Sequence, residues 1–280
     1  MVAVGAPVLL EAKPTPSVPR RYGLLQAAVG PLDLPIHARL GGMQYINEIC
    51  GEGVGYEVNC ITGLDMKEFT NGLEIVTGVP FVVYSTILCG SVGFTQDEFN
   101  AMAVSRLLSV EQTIVEQVFS SGSVGQAPSL ANNTPNATII ATGGVTAVDV
   151  VSELENAIYC TSQYGPAAYL HMPLAVINEL VREHLLSWDG TRWRTPMGSI
   201  VSAGCYSNLD PDGDAAADGT FWIYATGQTA IWRAPDSQIQ VAPVQGTLDR
   251  TTNQQRILAE REYVVTFECA SYAKAVVLWP

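Results

Sequence analysis

The sequence has little charge, and most of that charge is negative. Charged residues are 15% of the 280-residue chain, and 14 Lys and Arg against 27 Asp and Glu give a formal net charge of −13. A protein that grips nucleic acid needs clustered Lys and Arg to displace counterions, so this composition argues against a nucleic-acid-binding function. Hydrophobic residues reach 48%. A surface that is poor in charge and rich in apolar groups favours burial against partner proteins.

Signatures of membrane insertion and secretion are also missing. No stretch approaches the ~18 consecutive apolar residues that a membrane span requires. The first residues lack the basic leader and long apolar run of a signal peptide. We therefore expect the protein to be assembled in the cytoplasm.

Metal and catalytic motifs are absent as well. The six cysteines form no C-x-x-C pair, which excludes the common zinc frameworks, and the three histidines form no metal-type pair. Disulfides remain possible, but dispersed cysteines in apolar surroundings favour reduced, buried side chains. Cys205 or Cys89 could meet His171 in space as a nucleophile–base pair, yet no nucleophile elbow supports this. We predict no enzyme activity, no metal and no cofactor.

Two loops have the composition of ligand sites. Gly51-Glu-Gly53-Val-Gly55 is glycine-rich, but no helix pattern follows it to bind a phosphate. Asp210-Pro-Asp-Gly-Asp214 has the carboxylate density of a cation loop, although Phe221 stands where an EF-hand has its last glutamate. We interpret the first as hairpin glycines and the second as a solvated acidic loop, with a divalent ion between subunits as the alternative.

The first third of the chain is extended in character. Residues 1–45 begin with a proline-rich segment that cannot build a core alone and that ends in Arg20 and Arg21. We interpret it as an arm that contacts neighbouring subunits. Residues 46–94 alternate apolar and polar side chains between glycines, which predicts a long β-hairpin. Its polar middle carries Lys67 and Glu68.

Regular helical and strand patterns follow. Thr95 and Glu98 form a capping box, and the apolar spacing after them predicts a helix from Asp97 to Ser120. From 126 to about 245 helices and strands alternate, with helices expected at about 145–160 and at 173–186, which predicts a mixed α/β region. Gly227-Gln228 between two apolar strands predicts a hairpin turn.

The last stretch concentrates charge within an alternating apolar segment. Isolated ion pairs on a solvated strand face add little stability, whereas the same pairs repeated at every interface would set the geometry of an assembly. We therefore predict subunit contacts at Arg250, Arg256, Glu260, Arg261 and Glu262.

This order of elements resembles the major capsid proteins of tailed double-stranded-DNA bacteriophages, which share the Hong Kong 97 fold. The segment that starts at Tyr169-Leu-His-Met-Pro173, the segment Trp193-Arg-Thr-Pro-Met-Gly198 and the closing strands within 251–279 carry the resemblance. It implies an α+β fold with an N-terminal arm (1–45), an extended β-hairpin loop (46–94), a spine helix of the peripheral domain (95–125), a mixed α/β axial domain (126–245) and returning strands of the peripheral domain (246–280).

The resemblance also implies a structural role. The chain would self-assemble into hexamers and pentamers of an icosahedral phage head, as a virion capsid that encloses double-stranded DNA without sequence-specific binding. Its expected partners are further copies of itself, a separate scaffolding protein, a portal and decoration proteins. An encapsulin-like nanocompartment shell is the alternative with the same fold. A cysteine- or metal-dependent hydrolase is the alternative from another class.

Overall fold

The structure is a computed structural model that describes residues 22–47, 74–90, 95–246, 248, 251, 254–269 and 271–278. The predicted contact residues Arg20, Arg21, Lys67, Glu68 and Arg250 lie outside these ranges. So do the predicted hairpin tip and the glycine-rich segment 51–55.

The described residues form both helices and largely antiparallel strand pairs, which makes this an α+β fold. The helices are α1 Leu24–Ala27, α2 Ala38–Gly41, α3 Gln96–Ser121, α4 Ala147–Asn156 and α5 Leu174–Arg182. The strands are β1 Val29–Asp33, β2 Met43–Asn47, β3 Glu74–Gly78, β4 Phe81–Gly90, β5 Thr138–Ile139, β6 Tyr169–Pro173, β7 Ser187–Trp188, β8 Trp193–Arg194, β9 Ile200–Gly204, β10 Thr220–Thr226, β11 Thr229–Arg233, β12 Gln240–Pro243, β13 Gln254–Phe267 and β14 Tyr272–Val277.

The first sheet is organised around β13, which is 14 residues long. One edge of β13 pairs antiparallel with β4 along ten residue pairs, from Gln254 with Gly90 to Tyr263 with Phe81. Its other edge pairs with β12 and then with β11, and β1 is added in parallel beyond β11. Helix α3 packs on one face of this sheet and closes the larger hydrophobic core.

The second sheet has the strand order β5-β14-β10-β6-β9-β8-β7. Its core contains the apolar sides of α4 and α5, packed on the central strands. β6 and β9 are parallel to each other and buried at every position, as expected for central strands covered on both faces. A separate two-stranded ribbon of β2 and β3 forms the base of the predicted extended loop.

Besides the long connection through α3, two short chain connections pass from one sheet to the other, and they lie side by side. β10 belongs to the second sheet and β11 to the first, so the predicted hairpin at Gly227-Gln228 is wrong. β13 and β14 are divided in the same way, so residues 246–280 do not all return to the sheet that packs on α3. The two crossings bind each other, because Gly227 N donates to Glu268 O at 3.1 Å and Glu268 N donates to Gln228 O at 3.0 Å. A Cβ on Gly227 would lie 2.2 Å from Glu268 O, which explains why the predicted turn glycine serves a crossover instead.

Helix α3 begins as the sequence predicts. The Thr95 hydroxyl accepts from Glu98 N, and the Glu98 carboxylate accepts from Thr95 N at 2.8 Å, so the capping box is confirmed. The helix ends at Gly122 in the left-handed conformation, a common helix terminator. Its buried apolar side chains are Phe99, Ala103, Leu107, Val115, Val118 and Phe119, and Glu111 is buried among them, whereas Val110 and Ile114 are only partly covered.

The other predicted elements of the α/β region are present with shifted bounds. The helix expected from 145 to 160 is α4 followed by a π-helical turn, Ala157–Thr161. The helix expected from 173 to 186 is α5, which ends at Arg182 because the chain then enters strand β7. The turn at Asp189 connects β7 and β8, and its carboxylate accepts from the backbone of Thr191 and Arg192.

A buried carboxylate on α3 ties together three distant parts of the chain. Glu116 is fully buried and accepts from Leu24 N at 3.1 Å, from Cys205 N at 2.7 Å and from the Gln112 side-chain amide at 3.0 Å. Leu24 starts α1, and Cys205 follows β9. Because a buried carboxylate must be hydrogen-bonded, the position of α3 determines where both segments can lie.

The Glu116 site predicts a requirement for glycine at position 204. A Cβ on Gly204 would lie 2.3 Å from the Glu116 carboxyl carbon, and the carboxylate cannot move without losing its donors. We expect Gly204→Ala to lower the free energy of unfolding by about 1–3 kcal/mol, as overpacking does. Gly165→Ala is the matched control, since an added Cβ there meets nothing within 4 Å, and it should change stability by less than about 0.5 kcal/mol. Urea unfolding of the unassembled subunit measures both, and equal stability of the two variants would contradict this account.

Candidate subunit contacts and buried polar sites

The described members of the predicted contact set lie on β13 and divide between its two faces. Side chains alternate along a strand, so Arg256, Glu260 and Glu262 share one face while Arg261 points to the other. Arg256 is exposed, and Glu260 and Glu262 are partly covered. Arg261 is 0% exposed and faces α3. The prediction of a subunit contact is therefore corrected for Arg261, because residues of its own chain enclose the guanidinium.

Arg261 belongs to a buried charge cluster between α3 and the first sheet. Its Nη1 donates to Glu111 Oε2 at 3.0 Å, and its Nη2 pairs with Asp236. Arg233 donates to the other oxygen of Glu111 at 3.3 Å, and the Tyr263 hydroxyl also donates to Glu111. The Glu111 carboxylate thus receives three donors, which offsets the cost of removing it from water.

Tyr263 completes the cluster as a neutral donor. Burial, followed by the adjacent Glu111 carboxylate, raises the pKa of Tyr263 above its ordinary value. The phenol therefore keeps its proton at neutral pH and can donate it to Glu111. Sequence reasoning missed Glu111, although a signal was present: a charged residue stands between Leu107 and Val115 at four-residue steps within an apolar stripe.

A second buried ion pair lies in the other sheet. Lys274 on β14 pairs with Glu153 of α4 at 2.6 Å and also donates to Thr142 O at 2.6 Å. Glu153 in turn accepts from Gly144 N at 3.1 Å. The pair therefore fixes the loop 142–144 before α4, a role that no sequence pattern indicated.

The outer face of the first sheet has an apolar strip beside the charged row. Val82, Tyr84 and Leu88 of β4 point outward, and Tyr84 is 62% exposed. The strand register places Val82 opposite Glu262, Tyr84 opposite Glu260 and Leu88 opposite Arg256. This face therefore places three exposed apolar side chains beside Arg256, Glu260 and Glu262 of the predicted contact set. The sequence had not indicated that β4 would lie next to them.

His171 lies where the two crossings meet the end of α3. It is buried against Phe119 and Tyr206, and Thr226 and Thr229 approach its Nε2 at 2.9 and 3.2 Å. Thr226 also donates its hydroxyl to Gly227 O at 3.0 Å. The network is satisfied when Nε2 carries the proton and Nδ1 accepts from the Tyr206 hydroxyl, 3.3 Å away.

This environment keeps His171 neutral. Burial lowers its pKa from 6.5 to about 3, since no carboxylate is among the groups that contact the ring to stabilise a positive charge. Because His171 is buried and its ring nitrogens face hydroxyl groups, we interpret it as a core residue at the junction of the sheets. The backbone N–H of Cys205 donates to Glu116, and the side chain of Cys89 lies outside the described part.

Two cysteines differ from their predicted state. Cys269 is disulfide-bonded, and Cys160 is an exposed thiol, so the expectation of reduced and buried cysteines is wrong for these two.

Asp210 accepts from the backbone of Asp212 and Asp214, at 3.0 and 2.8 Å, and so shapes its own turn. Within the described residues, no group of three or more His, Cys, Asp or Glu side chains is arranged to hold a metal ion. No described helix combines the length and apolar character needed to cross a bilayer.

The architecture is similar to that of solved capsid structures. The capsid of Ralstonia phage GP4 aligns with 100% of this chain and 98% of its own, at a TM-score of 0.55 and 8% identity. The capsid of an empty GTA particle aligns with 97% of this chain and 95% of its own, at a TM-score of 0.56 and 14% identity. The Mycobacterium phage Ogopogo structure aligns with 96% of this chain and 97% of its own, at a TM-score of 0.53 and 13% identity. No protein-family model and no curated protein matches the sequence.

These alignments cover nearly the whole length of each chain. The chain therefore has the Hong Kong 97 fold that the order of its elements predicted. Identities of 8–14% show that very different sequences share this architecture.

The buried charge cluster predicts unequal effects of two arginine substitutions on one strand. Arg261→Met should leave Glu111 buried without one of its partners and lower the free energy of unfolding by about 3–5 kcal/mol. Arg256→Met, on the exposed face of the same strand, should change it by less than about 0.5 kcal/mol. Urea unfolding of the unassembled subunit separates the two. A similar effect at both positions would contradict the internal role of Arg261.

The neutral state of His171 predicts loss of stability in acid. The unfolded chain takes up a proton below pH 6.5 but the folded chain does so only near pH 3, so stability falls as the pH drops through this window. At pH 4.5 this proton uptake lowers the free energy of unfolding by about 2–3 kcal/mol relative to neutral pH. His171→Gln should flatten this part of the pH profile relative to wild type, whereas His37→Gln, at an exposed site, should not. Identical slopes in wild type and His171→Gln would contradict the prediction.

Proposed function

We propose that this chain is the shell-forming subunit of a phage-type capsid, which assembles into hexamers and pentamers of an icosahedral head around double-stranded DNA. The observation that carries the proposal is the full-length structural similarity to capsid chains, with TM-scores of 0.53–0.56. It includes the long helix, both sheets and the base of the extended loop, so it covers the whole architecture rather than one shared subdomain.

The surface of the described residues supports the proposal. Apolar side chains stand exposed on several separate elements, including Tyr84 on β4, Val181 on α5 and Met197 in the β8–β9 turn. Single exposed apolar residues are ordinary on a monomer, but Val82, Tyr84 and Leu88 lie along one face of β4, as expected for a surface that meets a neighbour. The net charge of −13 would keep enclosed DNA from adhering to the inner wall.

Assembly would follow from rigid subunits with extended attachments. The subunit core is fixed by the Glu111 and Glu116 sites, so its outer faces keep a constant geometry. We infer that the arm before Tyr22 and the loop between β2 and β3 contact neighbouring subunits, with Arg20, Arg21, Lys67, Glu68 and Arg250 among the contact residues. Arg256, Glu260 and Glu262 would act together with the β4 strip. A scaffolding protein, a portal and decoration proteins are the further partners of this proposal, and the host cytoplasm is its place of assembly.

An N-terminal deletion can test the proposed role of the arm only if it ends before the residues that pack in the core. Leu24, Ala27 and Ala28 are buried in the core, and Leu24 N binds Glu116. A deletion that extended to residue 30 would therefore unfold the subunit as well as remove the proposed arm. Deletion of residues 1–20 removes the proposed arm and spares these contacts.

The test is negative-stain electron microscopy of the full chain and of the deletion of residues 1–20, each expressed with its neighbouring genes. We expect closed shells, or rings of five and six, from the full chain. The deletion should keep its urea-unfolding midpoint and lose closed shells. Nuclease-protected DNA inside particles supports the phage-head role, whereas particles that enclose only protein would indicate a nanocompartment. A monodisperse monomer from the full chain would overturn the proposal.

A further inference from the structure

Tyr22 packs its ring against two tryptophan side chains at the edge of the second sheet. Its ring centroid lies 5.1 Å from that of Trp188 on β7, edge to face, and 5.7 Å from that of Trp193 on β8. The two tryptophans also contact each other, with centroids 5.7 Å apart. These separations are those of favourable aromatic pairs. The three rings, called the clasp from here on, therefore fasten Tyr22 to the β7–β8 hairpin.

The segment that follows the clasp is held firmly. Leu24 is 0% exposed, and its N–H donates to the buried Glu116 at 3.1 Å. Ala28 is also buried, and its carbonyl accepts from Arg192 of the β7–β8 turn at 3.2 Å. Between them α1 packs on β9 and on α3. The segment from Leu24 to Ala28 is therefore part of the core and cannot move without it.

Tyr22 itself is held less firmly and is strained. Its φ of +77° is in the left-handed region, which a bulky residue rarely adopts. Its side chain is only partly buried, and Trp188 beside it is 38% exposed. Tyr22 O accepts from Ala203 N at 3.0 Å, and Tyr22 N donates to Gln26 Oε1 at 3.3 Å. The strain of one such residue and the gain from two aromatic contacts are of the same order, so position 22 is close to balance.

We propose that the clasp sets the direction in which the chain before residue 22 leaves the subunit, and that it opens locally while the segment from Leu24 to Ala28 stays in place. In the closed state the rings hold Tyr22 in the left-handed conformation and so turn the chain at this residue. In the open state Tyr22 relaxes to an extended conformation and releases the Ala203 N–H. The use of the clasp in assembly rests on the proposed shell function, in which the preceding chain is an arm.

The residue type at position 22 supports a hinge with two states. A glycine would adopt this φ without strain, but it would leave Trp188 and Trp193 without the third ring. A tyrosine combines backbone strain with aromatic contacts, so the closed state depends on those contacts and is lost with them. A single residue that absorbs a φ change beside a firmly packed segment is the usual form of a hinge.

The first test is residue-resolved hydrogen exchange in the unassembled, full-length subunit. The Ala203 amide donates to Tyr22 and the Leu24 amide to Glu116, so the first reports the clasp and the second the segment behind it. We expect the Ala203 amide to exchange at least about tenfold faster after correction for intrinsic rates, because it requires only local opening. Equal protection of the two amides would show that the clasp opens only with the core, and would overturn the inference.

Two substitutions of Tyr22 separate the effect of its ring from that of the backbone. Tyr22→Asn tolerates the left-handed conformation but lacks the ring. It should raise the exchange rate of the Ala203 amide by about tenfold, the factor expected when the aromatic contacts are lost. Tyr22→Phe keeps the ring and should exchange at the wild-type rate, and the Leu24 amide should be unchanged in both variants. An unchanged Ala203 rate in Tyr22→Asn would also overturn the clasp.

Particle formation then tests the use of the clasp in assembly. We expect Tyr22→Asn, expressed at full length with its neighbouring genes, to lose closed shells in negative-stain electron microscopy, whereas Tyr22→Phe should form them. Shells at wild-type yield from Tyr22→Asn would overturn the role of the clasp in directing the arm. A wild-type chain that forms no particles would instead overturn the shell function, and hydrogen exchange would still decide whether the clasp opens.

Discussion

The structure depends on one constraint: helix α3 carries two carboxylates that are buried and must be satisfied. Glu111 faces the first sheet and binds Arg261, Arg233 and Tyr263. Glu116, just over one turn later, binds the backbone of α1 and of the segment after β9. An unpaired buried carboxylate would cost several kcal/mol. The helix therefore fits in one position only, and the N-terminal segment, the first sheet and the second sheet are arranged around it.

The two sheets are joined by the paired crossings next to α3. The β10–β11 and β13–β14 connections bind each other through backbone hydrogen bonds, and the hydroxyl groups around His171 fill the space beneath them. Because both connections cross together, the sheets cannot be displaced separately without breaking this network. In the proposed shell, such a joint would keep the outer faces of the subunit at constant angles to its neighbours.

The separation of internal from external charge would allow a chain with few charges to carry out the proposed assembly. Arg261 and Lys274 are enclosed and stabilise the subunit itself. Arg256 and Glu260 face outward beside the apolar strip of β4, and Glu262 on the same face is mostly covered and pairs with Arg39. Neighbouring residues of β13 thus have opposite roles, and the alternation of the strand decides which role each one takes. The turn before β2 follows the same pattern: Ile36 and Leu40 are exposed, whereas Leu34 and Ala38 are buried.

The sequence by itself determined the elements with local causes. The capping box at Thr95, the apolar spacing of α3 and the alternation of helices and strands after residue 126 follow from hydrogen bonds and periodicity within a few residues, and they were sufficient to predict the α+β class and the order of the fold. Only the tertiary structure decided which strands share a sheet, because strand pairing joins residues far apart in sequence: the turn at Gly227 looks local, yet β10 and β11 belong to different sheets. The burial of Glu111, Glu116 and Arg261 was decided in the same way. A charged residue in an amphipathic pattern has no fixed destination until a partner from another part of the chain is brought beside it.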